Sequence, residues 1–318
     1  MLPLTQNSDT RVFLLLFNTA VVVALAWVGN AVWWVPVLNW ALSALLAYGV
    51  RDIIRRYRLG NTRPGLIFCV SWIILSTMMN FASLYMPGDL ALWRIMLQMA
   101  GLMGILHLLL SSWQMHSAPV LYLLTGIIVS LLSLVYAPSL LWLLLLALGA
   151  IYMRSNSMRN FWSTLTGVVF GTWVSYFCVW FLAGETRADN IVNRLLSIFP
   201  FTLSFPAFSL EVWIFIGITV FLLLVYSGTS FLLNVGDSLR ITSFIRLILT
   251  MAFMFVLFTV PNTSHIALYF CLVSLLLAIQ NALHLSNLQS DIHEWWTIVM
   301  LAIMMLLDII PILIPLVL

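Results

Sequence analysis

The sequence predicts an all-α, polytopic membrane protein of about eleven transmembrane helices, with its N-terminus cytoplasmic and its C-terminus outside. Three observations lead there. Hydrophobic residues make up 63% of the 318 and charged residues 7%, against about 25% charged in soluble domains. So few charges cannot cover a water-facing surface of this size. Apolar runs of roughly 20 residues, the length that spans a hydrocarbon core, alternate with short connections. The basic residues, thirteen in number and all arginine, fall mostly on one side once those runs are threaded in alternation. No polar stretch exceeds a loop, so 1–318 reads as a single transmembrane domain.

The reference point is the stretch 51–64, which holds Arg51, Arg55, Arg56, Arg58 and Arg63 between two long apolar runs. A short cationic loop stays on the side where synthesis occurs, so 51–64 is assigned as the main cytoplasmic basic loop. Segment one is 12–29. Ala24-Leu25-Ala26 imitates a signal-peptidase site, but Arg11 alone makes a weak cationic lead, and the run is assigned as the first helix. Gly29, Asn30 and Trp33-Trp34-Val35-Pro36 form an outer connection with tryptophans at the headgroup level. Segment two descends to Val50.

Segment three, 65–85, rises to the turn Met86-Pro87-Gly88-Asp89. Segment four, 93–112, returns to an inner loop containing His116, and its Gly101 and Gly104 allow close helix approach. Segments five and six, 119–135 and 139–153, are short and joined by Tyr136-Ala137-Pro138. They form either two thin crossings or one hairpin that dips in and returns. Arg154 and Arg159 follow on the inner side. Segment seven, 161–183, leads to the largest outer loop, 184–211, where 188–198 has the spacing of an interfacial helix. Segment eight, 212–233, goes inward toward Arg240 and Arg246. Segment nine ends at Val260-Pro261, and Asn262-Thr263-Ser264, a glycosylation-type tripeptide, turns the chain outside. Segment ten, 265–285, returns, and segment eleven, 295–318, closes the chain. Only Arg94, Arg187 and Arg194 then lie outside.

Several chemistries are excluded. Without lysine there is no Schiff base or lysine nucleophile. The arginines lie in connections, which points to orientation in a lipid bilayer and not to nucleic acid. Cys69, Cys178 and Cys271 each fall inside an apolar run without metal-ligand spacing, so they read as buried packing residues. His265 and His284 sit at opposite ends of segment ten and cannot share a metal; Asp291, His293 and Glu294 lack a helical ligand pattern. His107 reads as a hydrogen-bonded packing histidine. There is no phosphate-binding glycine loop and no nucleophile elbow. No metal and no cofactor is expected.

Four carboxylates remain as weak catalytic candidates. Asp308 lies roughly 20 Å along segment eleven, where an ionisable group is expensive and could hold a cation, a proton or a sugar hydroxyl. Glu185, Asp189 and Glu211 lie in the outer loop, where an acid could act as base or hold a divalent ion. The competing reading is a solvated loop in which Glu185 pairs with Arg187 and Asp189 with Arg194.

The run 126–183, with Ser133-Leu134-Val135-Tyr136-Ala137-Pro138, then Arg154, then Arg159-Asn160-Phe161-Trp162, then Gly167, resembles an uncharacterised bacterial family of polytopic inner-membrane proteins. Arg58-Leu59-Gly60-Asn61-Thr62 fits the same pattern. The glycine-rich helix, aromatic-proline turn and leucine-rich helix are also distantly similar to one hairpin of multi-pass glycosyltransferases that use lipid-linked sugars. Those enzymes carry an essential acid in the first outer loop. Here that loop, 29–36, reads GNAVWWVP and has none, which points to a related scaffold without the chemistry or a shared way of packing helices.

The leading expectation is therefore a non-catalytic inner-membrane partner in cell-envelope assembly, in contact with the bilayer and with another envelope membrane protein. The first alternative is a transferase acting on a polyprenyl-linked sugar. The second is a small-solute or proton-coupled transporter centred on Asp308, although no internal repeat of the transporter kind is visible.

Overall fold

In lipid a backbone must satisfy its own hydrogen bonds, which long apolar runs do by forming helices. The structure, a computed structural model, describes residues 15–20, 34–59, 64–85, 92–186, 188–189, 193, 213, 216–225, 239–259, 265–286, 299 and 302–303. Among these the regular elements are all helical. In chain order they are α1 (Trp34–Arg56), α2 (Pro64–Tyr85), α3 (Leu92–Ser111), α4 (Pro119–Val135), a 3-10 segment (Ala137–Leu141), α5 (Trp142–Tyr152), α6 (Met158–Ala183), α7 (Ile216–Val225), α8 (Leu239–Thr259) and α9 (Ile266–Ser286). Six of them, α1, α2, α3, α6, α8 and α9, are long and apolar enough to cross a membrane. The protein is all-α and has the character of a multi-pass membrane protein.

Segments three, four, five, seven and ten correspond to α2, α3, α4, α6 and α9. Two local expectations are corrected. Arg51, Arg55 and Arg56 stand on the last turns of α1 and not in a loop, because arginine is a good helix former and cations suit a helix C-terminus. Trp34, Val35 and Pro36 form the first turn of α1, where proline's missing N–H leaves nothing unsatisfied. Most of segments one and eleven, half of segment eight, Arg63, the turn 86–89, most of 188–198, the tripeptide 262–264 and the cluster 291–294 lie outside the described residues.

The chain divides into two units. One comprises Met1–Asp89, Pro206–Val235 and Ser264–Leu318; the other comprises Leu90–Phe205 and Gly236–Thr263. In the first, α2 packs between α1 and α9, and the spanning stretch of α9 is 100% buried.

In the second unit, α4, the 3-10 segment and α5 make a hairpin whose two ends lie together. The Gln114 amide donates to Met153 O at 3.0 Å, and the Ala118 amide donates to Asn160 Oδ1 at 2.9 Å. The 17 residues of α4 rise about 25 Å, slightly less than a hydrocarbon core of about 30 Å. Helix α8 is held to α3 by Arg240, whose Nη2 donates to Leu110 O at 3.1 Å. It is held to α5 by the Tyr152–Thr250 hydroxyl pair at 3.2 Å and by Trp142 against Phe255, ring centroids 5.5 Å apart.

Helices α4 and α6 approach more closely than any side chain would permit. A Cβ on Gly126 would stand 2.2 Å from Thr164 O, and one on Gly167 would stand 2.2 Å from Leu123 O. The close approach expected at Gly101 and Gly104 is present at Gly101, though against a side chain and not a backbone, and is absent at Gly104. A Cβ on Gly101 would meet only the end of the Leu132 side chain, and one on Gly104 would make an ordinary 3.6 Å contact.

Two helices end in the same way. Leu59 N donates to Ile54 O and Arg58 N to Arg55 O, while Ser155 N donates to Ala150 O and Arg154 N to Ile151 O. These are Schellman caps, with Arg58 and Arg154 in the left-handed position at φ 50 and 54. The residue after each, Leu59 or Ser155, is buried, which leaves the arginine outermost.

Candidate functional site

Of the four candidate carboxylates, Glu185 and Asp189 are described, and Glu211 and Asp308 lie outside the described residues. Helix α6 stops at Gly184, whose positive φ of 86 suits glycine. The chain then turns so that Ala188 N donates to Gly184 O at 3.3 Å. That turn brings Asp189 back over α6, where Tyr176 OH donates to its Oδ1 at 3.2 Å. Both Glu185 and Asp189 are exposed, so they are solvated carboxylates at the end of an apolar helix. Beside them runs an aromatic row: Trp173 and Phe177 at 4.7 Å, Tyr176 and Phe177 at 6.1 Å, Phe177 and Trp180 at 6.1 Å. This combination could stack a ring and accept its hydroxyl protons.

The topology-determining arginines occupy the C-terminal end of α1. Arg55, Arg56 and Arg58 are exposed, and Arg51 lies over the Tyr48 ring at 5.7 Å. Cys69 and Cys271 are buried, but Cys178 is exposed on α6, which corrects its assignment as a packing residue. An apolar run does not reveal which of its faces is covered. Among the described residues no three His, Cys, Asp or Glu side chains are close enough to share an ion.

Ionisable groups stand out in the sequence, whereas the neutral polar groups that occupy both interiors do not. In the second unit Asn160 is the hub. Its Oδ1 takes the Ala118 N–H, its Nδ2 donates to Ser155 O at 2.6 Å, and its own amide is capped by Ser157 Oγ at 3.2 Å. Next to it Tyr122 and Ser155 hydroxyls bond each other, with Ser112 Oγ 3.4 Å from both. Deeper in the hairpin, Gln98 Nε2 donates to Leu132 O and its Oε1 accepts from Ser139 Oγ, both at 2.9 Å. Apart from the local Ser157 cap, these groups are buried and their bonds cross between segments of the unit, so they act as internal ties.

In the first unit, Trp72, Ser76, Asn80 and Ser83 recur along α2 at spacings of four, four and three, one helical face. Trp72 Nε1 donates to Trp40 O at 3.0 Å, and Ser76 Oγ donates to Asn18 Oδ1 at 2.7 Å. Asn39 Nδ2 donates to Asn80 Oδ1 at 3.1 Å and to Ser83 Oγ at 3.3 Å. Here satisfaction is incomplete: among the described residues Asn18 Nδ2, Asn80 Nδ2, Trp40 Nε1 and Asn39 Oδ1 have no hydrogen-bond partner. On α9, Asn281 is 1% exposed, with both amide atoms unbonded among the described residues. The polar stripe on α2 was the available signal. No protein-family model, no curated protein and no solved structure matches the chain.

Proposed function

We propose that this chain is a non-catalytic, multi-pass protein of the bacterial inner membrane, acting as a partner within cell-envelope assembly. In this reading the chain crosses about eleven times, with the N-terminus and the arginine-bearing helix ends cytoplasmic and the C-terminus outside. Its likeness to an uncharacterised polytopic family and to multi-pass transferases is one of scaffold.

The observation that carries it is the state of α6. Only 11% of its spanning stretch is buried, because it meets its own unit along the single line Asn160, Thr164, Gly167 and Gly171. Trp162 and Trp180 are about 27 Å apart along the axis, a membrane thickness, and fit the two headgroup levels. Trp173 stands between them at 57% exposure, away from the level tryptophan prefers. A neighbouring protein helix laid on this face would cover that indole. The test is a photoreactive residue at Trp173 in native membranes. A discrete protein adduct that disappears when Phe177 and Phe170 are both changed to alanine supports the reading; adducts to lipid alone overturn it.

A transferase acting on a polyprenyl-linked sugar is the second reading, favoured by the Tyr176–Asp189 bond beside the aromatic row. It requires that Asp189→Asn and Glu185→Gln abolish sugar turnover while leaving the fold intact. Unchanged turnover in both variants removes these two acids from that role. A transport role would rest on Asp308.

A further inference from the structure

We propose that the face shared by α1, α2 and residues near Asn18 is a binding site for a neutral, hydroxyl-bearing ring, the chemistry of a free sugar or of a glycolipid headgroup. The inference is independent of both readings above.

Buried amides and hydroxyls form the site. Asn18, Asn39, Ser76 and Asn80 are all at least nine-tenths buried. Ser83, which bonds Asn39, is exposed, so the group reaches from the interior to the surface. Asn39 lies five residues into α1 and Asn80 five residues before the end of α2, about 8 Å from the helix ends. Trp40 is half-buried and tilted against Trp72 at 4.9 Å, with Phe68 a further 5.4 Å from Trp72.

The unbonded atoms define the ligand. Three are donors, Asn18 Nδ2, Asn80 Nδ2 and Trp40 Nε1, and one, Asn39 Oδ1, is an acceptor. A hydroxyl both donates and accepts, so adjacent hydroxyls on one ring fit such a mixed set. An apolar guest would leave all four atoms unmet, and each unmet buried polar atom carries a desolvation penalty. A charged guest would find no countercharge among Asn18, Asn39, Ser76, Asn80, Ser83 and the two indoles, and burying a lone charge is strongly unfavourable. The indole faces suit the C–H face of a sugar ring, as aromatic bodies with polar tips usually do at mixed surfaces.

The experiment uses the full chain in a sugar-free amine-oxide detergent. Thermal unfolding is followed by a thiol-reactive dye through Cys69 and Cys271, both buried in this unit. The probes are glucose, octyl β-glucoside below its micellar concentration, and 1-octanol as the chain without a sugar. A probe at hundredfold excess over its Kd is expected to raise the midpoint by roughly 5 °C or more, with octanol inert. A shift with glucose and glucoside marks the free sugar as sufficient; a shift with glucoside alone marks a glycolipid headgroup.

In Asn39→Leu/Asn80→Leu both amide partners leave together, and Ser83, which loses the Asn39 donation, is exposed, so no buried orphan is created and the shift should vanish without loss of baseline stability. Trp40→Phe keeps the ring and removes the donor; it should weaken binding severalfold and serves if the double variant does not fold. No shift with either sugar probe, or an equal shift in Trp40→Phe and in the double variant, overturns the proposal.

Discussion

The glycine contact between α4 and α6 gives the sharpest prediction. In Gly167→Ala the new Cβ would stand 2.2 Å from Leu123 O, whereas ordinary contact begins near 3.4 Å. The obstacle is a backbone carbonyl, so no side-chain rotation relieves it, and the helices must part by about 1.2 Å, the difference of those distances. A gap of 0.5–1 Å already forfeits roughly a quarter to a half of each contact's attraction. Overpacking commonly costs about 1–3 kcal/mol. We expect the upper end, about 3 kcal/mol, because the contacts of Gly126, Gly167 and Gly171 loosen together. At about 2–4 °C per kcal/mol the midpoint should fall by roughly 6–12 °C in a circular-dichroism melt in mild detergent. Gly104→Ala is the matched control, since its Cβ makes only a 3.6 Å contact with Ile128; helix propensity should leave it neutral or stabilised by up to about 1 kcal/mol. If the two variants melt together, the close-packing argument is wrong.

Asn160→Ala removes the acceptor for Ala118 N and the donor to Ser155 O, leaving two buried groups unmet. At about 1–3 kcal/mol each it should lower the melting midpoint clearly, while Asn156→Ala, at an exposed neighbour, should not. Arg154→Gly relieves a left-handed arginine at φ 54 and should stabilise the cap of α5 by about 1 kcal/mol; a lower midpoint would mean the arginine side chain contributes more than its backbone strain. Cys178 should react with an apolar maleimide in the folded protein, and Cys69 and Cys271 only on unfolding. Mass spectrometry showing more than one label per folded chain would contradict that burial.

Helix positions were legible wherever an apolar run ended at a strong local signal. Pro119 opens α4 at its first position and Gly184 closes α6 in a conformation that glycine tolerates. The arginine stretch misled because hydropathy falls at Arg51 while helix propensity does not, so the helix outlasts its apolar run. Faces were not legible in the same way. Within a run that is hydrophobic all round, Cys178 and Cys69 look alike, and only the neighbours decide which is covered. The same holds for Asn39 and Asn80, distant in sequence and brought together by the packing of α1 against α2. The second-unit ties were hidden for a further reason: Gln98 and Asn160 bond to backbone carbonyls and an amide beside turns that had first to be placed, and Ser139 bonds to Gln98 from one such turn. The candidate acids stood out because charges are rare here, and rarity in composition does not bring residues together in space.

The tie between Ala118 and Asn160 also sets an order of events during synthesis. The two partners are 42 residues apart, and the whole α4–α5 hairpin lies between them. At about 5–20 residues per second, Asn160 leaves the ribosome roughly 2–8 s after Ala118. Until then the open end of the hairpin has no acceptor for the Ala118 amide and no donor for the Ser155 carbonyl. The hairpin can enter the bilayer beforehand, but its base closes only when the start of α6 arrives. The N-terminus of α6 is thus the last part of the hairpin's fold to be made, although it belongs to the next helix.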